Sequence, residues 1–322
     1  MKEPESKGLG KGDVISFLAL LLMGVIVFFG MNFKTLGDKI PSLVVAIVLV
    51  VLMTVFVFLA AYAKKQNRNR DTWRILQAAM LGLYVLALIP CYFYSSRFFD
   101  VYLQKSTIME QVQKDTDDLD KMFADYSKKC EARASSYQID MEAMLTYDEG
   151  RKKIAEMLDI SDPKLVTKEN VAQAASSFSK SLKGAEYKAI EAEKNTLVKN
   201  CESNFRSWNI LLIPQYASEL GTAKTKCATE LERIYSKYEN NIEKNRPEFN
   251  AQAYIEESGV IDSFKGTNSF SVLGLVATLF LGILGLVKYL MGNGSNEVEM
   301  KRGTEENIKK YGGFVVKKDG VR

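Results

Sequence analysis

Apolar residues gather along this chain in two different patterns. Four runs, 14–31, 42–63, 75–95 and 269–287, contain no Asp, Glu, Lys or Arg. A helix rises about 1.5 Å per residue, so about 20 apolar residues cross a hydrocarbon core about 30 Å thick, and each run predicts a transmembrane helix. Pro41 stands at a helix start, where its missing N–H does no harm, whereas Pro90 predicts a kink near the outer end of the third span. Lys7 and Lys11 precede the first run as they would in a signal peptide. However, Phe28-Phe29-Gly30-Met31-Asn32 lacks the small-x-small cleavage pattern, so the run reads as an uncleaved span.

The second pattern fills 96–268. Ile108, Val112, Leu119, Phe123, Tyr126, Cys130, Tyr137, Met141 and Met144 keep to helical spacing and share one helix face, with Thr116 and Arg133 interrupting the seam. A second stripe is Tyr187, Ile190, Leu197, Cys201, Phe205 and Trp208; a third is Leu220, Ala223, Cys227, Leu231, Ile234, Tyr238 and Ile242. No Pro or Gly falls between 91 and 149, so one helix is predicted to run from the third span into this region. Ser161-Asp162-Pro163 and Thr167 before Lys168-Glu169-Asn170 read as helix starts, and Pro247 and Gly259 divide the last stretch. Asp115, Asp117, Asp118 and Asp120 lack the glycine turn and terminal glutamate of a calcium loop and read as a solvated helix face. The predicted fold class is all-α: a four-span helical membrane protein with a long, coiled-coil-like helical domain between spans three and four.

One segment breaks the stripes. Trp208, Ile210, Leu211, Leu212, Ile213 and Tyr216 make 208–216 apolar all round, and Pro214 marks a helix reversal. This is either a hydrophobic turn tucked under its own bundle or a tip that binds a partner. Cys201 and Cys227 are each 13 residues from Pro214, so a hairpin turning there would bring them level. In an oxidising compartment such a pair could close a disulfide, and otherwise both are small buried apolar residues.

The charge distribution supplies orientation. A mean hydropathy of −0.09 averages charge-free runs with a remainder that is about one-third charged. The basic link 64–74 (Lys64, Lys65, Arg68, Arg70, Arg74) and the basic tail 288–322 predict cytoplasmic positions, with 1–13 on the same side. The three spans within 14–95 and the fourth at 269–287 then place 96–268 across the membrane from the cytoplasm. That region carries 25 basic and 29 acidic residues, which excludes a basic nucleic-acid surface.

Candidate chemistry is sparse. The chain has no histidine and four scattered cysteines, so no metal site, cofactor or catalytic residue is predicted, and an enzyme is not expected. Gly274, Thr278 and Gly282 recur every fourth residue in the last span, where small residues let helices approach closely, within the chain or between subunits. In the tail, Phe314, Val315 and Val316 before Asp319-Gly320 could add a short strand to a partner's edge, or stay unstructured. The four spans and large third loop match tetraspanins in topology only, since the Cys-Cys-Gly signature is absent.

In length, span placement, helical periplasmic region and short basic tail, the chain resembles TssN, the multi-span inner-membrane subunit of variant (class iii) type VI secretion systems. The resemblance implies a bacterial inner-membrane scaffold within a multi-subunit, trans-envelope assembly, with membrane lipid, other envelope proteins and further homo- or hetero-oligomeric copies as partners. It implies no functional residue. The alternative class is a membrane sensor whose periplasmic bundle detects a ligand and signals through a partner, because the tail is too short for an output module.

Overall fold

The computed structural model describes residues 10–66, 70–237, 242–243, 246–255, 259–266 and 270–291. Arg68, the side chain of Arg70, and Phe314, Val315 and Val316 lie outside the described residues. The helices in chain order are α1 (Lys11–Lys34), α2 (Lys39–Lys65), α3 (Arg70–Leu103), α4 (Lys105–Met144), α5 (Asp148–Met157), α6 (Lys168–Leu182), α7 (Ala185–Arg206), α8 (Ile213–Lys237), α9 (Gly259–Lys265), α10 (Val272–Gly285) and α11 (Val287–Met291). No strand occurs among the described residues. The chain divides into two compact units, one of Met1–Leu103 with Thr267–Arg322 and the other of Gln104–Gly266.

In the first unit, four helical segments are long and apolar enough to cross a membrane: α1, α2, α3 from Asp71, and α10 with α11. Their shared core is Leu20, Met23, Val27, Ala46, Met53, Val57, Tyr84, Cys91 and Leu281. Leu43, Ile47, Val51 and Phe58 on α2, and Val276, Phe280 and Ile283 on α10, are exposed. Helices that are apolar on both their packed and their outer faces suit a hydrocarbon solvent. Pro90 lies inside α3, which remains one helix across it. The lower ends are tied together by polar contacts: Asp13 pairs with Lys288 at 2.7 Å, and Lys64 donates to the Tyr289 carbonyl at 3.1 Å.

The second unit is built on α4, 40 residues long and so about 60 Å from end to end. Against it pack α6, α7, α8 and α9, with α7 and α8 forming an antiparallel pair. The Pro- and Gly-free stretch is not one helix: α3 ends at Leu103, and Gln104 (φ −89°, ψ 14°) stands between it and α4. Thr167 caps α6 as its sequence predicts, with Thr167 and Asn170 exchanging side-chain and backbone hydrogen bonds. Ser161-Asp162-Pro163 instead opens only a 3-10 turn, Pro163–Leu165, where Asp162 accepts from the Lys164 N–H.

Helix ends in both units share an uncommon device. After α1, α5 and α7 the chain turns through a left-handed residue that is not glycine: Leu36 (φ 53°), Asp159 (φ 55°) and Trp208 (φ 49°). In each the second residue past the cap donates back five positions, as Gly37 to Asn32, Ile160 to Ala155 and Asn209 to Asn204, so the last carbonyls are satisfied.

Candidate functional site

The apolar seams of the second unit are crossed by charges at helical spacing, and these charges meet one another. Lys224 on α8 is 2% exposed and reaches Asp115 of α4 at 2.9 Å and Asp118 at 3.6 Å. Lys194 of α7 pairs with Asp120 at 2.5 Å and lies 5.2 Å from the Phe123 ring. Asp115 and Asp118 therefore belong to the core and its margin, which corrects the reading of the acidic cluster as a solvated face. Only Asp117 and Asp120 are exposed, Asp117 accepting from Gln113 and Asp120 reaching back to Lys194. The cause is helix geometry: Asp115 and Asp118 fall three apart, beside Val112 and Leu119 on the buried face.

Arg133 is the centre of the arrangement. It is wholly buried, and its guanidinium donates to both carboxylate oxygens of Glu243, at 2.8 and 2.7 Å. It also donates to the Tyr235 carbonyl in the last turn of α8, which accepts from Arg246 as well, at 2.9 Å. The guanidinium carbon lies 5.0 Å from the Phe178 ring and 4.9 Å from that of Tyr235. Nearby, Tyr126 stacks on Tyr187 at 5.2 Å and meets Phe249 edge-on at 5.2 Å. The Tyr126 hydroxyl donates to the Leu182 carbonyl at 2.8 Å, and that of Tyr235 to Pro247 at 2.6 Å. Arg133 thus fixes α4 to the end of α8 and, through Glu243, to the segment after it. Apolar seams tolerate slippage, whereas buried charges must meet their partners, so this lattice sets register.

The 208–216 segment lies against its own bundle. Ile213 is fully buried, Trp208 is 9% exposed, and Ile210, Leu212 and Tyr216 are half-buried, leaving Leu211 as its exposed apolar side chain. The Lys105 ammonium stands 5.1 Å from the Trp208 ring, which places this turn at the start of α4.

Of the two readings of Cys201 and Cys227, the structure shows the small buried apolar residues and not the disulfide: both are buried free thiols, as are Cys91 and Cys130. The hairpin does not pivot at Pro214. Glu193 meets Lys226, and Glu186 meets Arg233, so the midpoint falls between Asn209 and Ile210. Cys201 accordingly donates to the Tyr216 carbonyl, and on this register Cys227 lies about 13 Å further along α8. Burial pushes the Cys130 and Cys227 thiols up to about 11, Cys201 to about 12 and the Tyr235 hydroxyl to about 12. A raised value means that the folded state holds the proton more tightly. The resulting stability is complete below the ordinary thiol value of 9.0 and is lost as pH rises toward 11–12. The thermal midpoint should therefore be level from pH 7 to 8.5 and fall above pH 9. At pH 8 a thiol reagent should label none of these three cysteines until the unit unfolds; full labelling of the native protein would contradict this burial.

In the first unit, Gly274, Thr278 and Gly282 pack within the chain. All three are buried, with Gly274 against the backbone of Ser96 and Gly282 against Leu88 of α3. The Tyr84 hydroxyl donates to the Gly282 carbonyl at 2.7 Å. Of the basic link, Lys64 is bound to Tyr289, while Lys65 and Arg74 are exposed. Among the described residues no three Cys, Asp or Glu side chains gather as a metal site. Compared with known protein families, with characterised proteins and with solved structures, the chain matches none.

Proposed function

We propose that this chain is a structural scaffold subunit of a bacterial inner-membrane complex, held in lipid by its four apolar helices and presenting the α4-based unit in the periplasm. Both chain ends then face the cytoplasm, as the basic residues of 64–74 and 288–322 favour. The observation that carries the reading is the buried lattice of Asp115, Lys224, Lys194, Arg133 and Glu243, which holds several helices at fixed register along one 40-residue helix. A part that must keep fixed geometry between partners needs that specification. The TssN-like layout supplies the kind of assembly: a trans-envelope secretion complex in which periplasmic partners meet the helical unit and cytoplasmic ones meet the link and tail.

Purification of the full chain in mild detergent, followed by cross-linking and mass spectrometry, tests this. A defined assembly cross-linked through surface lysines of α4–α8 to other envelope proteins is the expected result. A lone monomer that retains a small molecule in its periplasmic unit would replace the scaffold by a sensor.

A further inference from the structure

The first unit contains a small polar cleft in otherwise apolar surroundings. It measures about 150 Å³ and is lined by Lys34, Pro90, Phe93, Tyr94 and Arg97. Lys34 is the last residue of α1 and is exposed, whereas Arg97 on α3 is 7% exposed. The walls are held firmly. Phe33 of α1 stacks on Phe98 of α3 with ring planes 7° apart, and the Gly30 backbone lies directly on that of Tyr94. Leu86, Ile89 and Phe93 recur at steps of three and four below Arg97, and all are exposed, at 59, 51 and 44%. An apolar strip therefore runs along one face of α3 and ends at two cations, at the level where a membrane-length helix ends.

We infer that this cleft binds the headgroup phosphate of an anionic phospholipid, whose acyl chain lies along Leu86, Ile89 and Phe93. Asp100 offsets part of the charge of Arg97, so the net positive charge of the cleft rests on Lys34. The role of Arg97 is its planar fork of five N–H donors, which can hold two phosphate oxygens and still serve contacts within the protein. A soluble phosphate would satisfy the cations equally well but would leave the apolar strip unused.

Native mass spectrometry of the detergent-solubilised full chain, with phosphatidylglycerol or phosphatidylcholine added, reads this directly. Preferential retention of phosphatidylglycerol is expected. Lys34→Gln should lower that preference about fivefold, the value of one lysine near an anionic surface. Arg97→Gln should lower it further, and Lys39→Gln, at the exposed start of α2, should leave it unchanged. Lys34 is exposed at a helix end, so its variant remains informative if Arg97→Gln fails to fold. Equal retention of the two lipids, or an equal loss in the Lys39 and Lys34 variants, would overturn the site. Displacement of phosphatidylglycerol by an equal concentration of inorganic phosphate would overturn the lipid as its ligand.

Discussion

Arg133→Met is expected to cost the helical unit about 3–5 kcal/mol, because it strands the carboxylate of Glu243 in a site where the pair is at most 2% exposed. Methionine is long and apolar enough to fill much of the volume, so the loss is electrostatic and not the loss that a cavity would cause. The Tyr235 carbonyl keeps Arg246 as a donor, while the faces of Phe178 and Tyr235 lose the cation between them. The double variant Arg133→Met with Glu243→Leu removes both charges together and should recover most of the stability, since two well-packed apolar residues can replace a buried pair at little net cost. Lys226→Met is the reference, because Lys226 and Glu193 are 57 and 65% exposed and such pairs contribute little. Denaturant unfolding of the full chain in detergent, followed by near-ultraviolet circular dichroism of the tyrosines, separates the three. An Arg133 variant as mild as the Lys226 variant would mean that the lattice does not hold the bundle.

The same residue shows where the sequence could be read and where it could not. Every member of the α4 seam from Ile108 to Met144 is buried, because a period of three and four residues defines a helix face whatever that face packs against. Arg133 lies three residues after Cys130 and four before Tyr137, and Lys224 four after Leu220 and three before Cys227, so both keep the period of the seams they interrupt. An in-register charge on an apolar stripe is either a defect or half of a buried pair. The choice depends on an opposite charge about 110 positions away for Arg133 and Glu243, a distance local spacing does not cover. The disulfide failed for a related reason. Equal spacing from Pro214 would align Cys201 and Cys227 only if proline were the pivot, but proline sits comfortably in the first turn of α8. The reversal is made six residues earlier, by the left-handed Trp208, a conformation that no residue-type rule assigns to tryptophan.

In the unit of four apolar helices, glycine substitutions should form a graded series set by what a methyl group would meet. Gly82→Ala on α3 should be neutral or slightly stabilising, since nothing lies within 4 Å of the added carbon and alanine is the better helix former. Gly24→Ala would bring that carbon to 2.5 Å from a methyl of Val50, whose branched side chain is stiff in a helix, so relief needs a disfavoured rotamer or a small parting of α1 from α2. Gly274→Ala is different in kind, because the carbon would fall 2.5 Å from the Ser96 Cα and 2.7 Å from its nitrogen. Gly30→Ala is the severest, at 1.9 Å from the Tyr94 carbonyl oxygen. Backbone cannot rotate away, so α10 or α1 must move off α3 as a whole, opening contacts along its length. Overpacking of this kind costs about 1–3 kcal/mol or more, and helices in lipid lack a hydrophobic drive to restore close contact once small residues are lost. Thermal unfolding and monodispersity in detergent should therefore rank Gly82→Ala, Gly24→Ala, Gly274→Ala and Gly30→Ala in falling order. If Gly274→Ala instead matches Gly82→Ala, α10 does not approach α3 this closely, and the small-residue repeat is left to mediate contact between subunits.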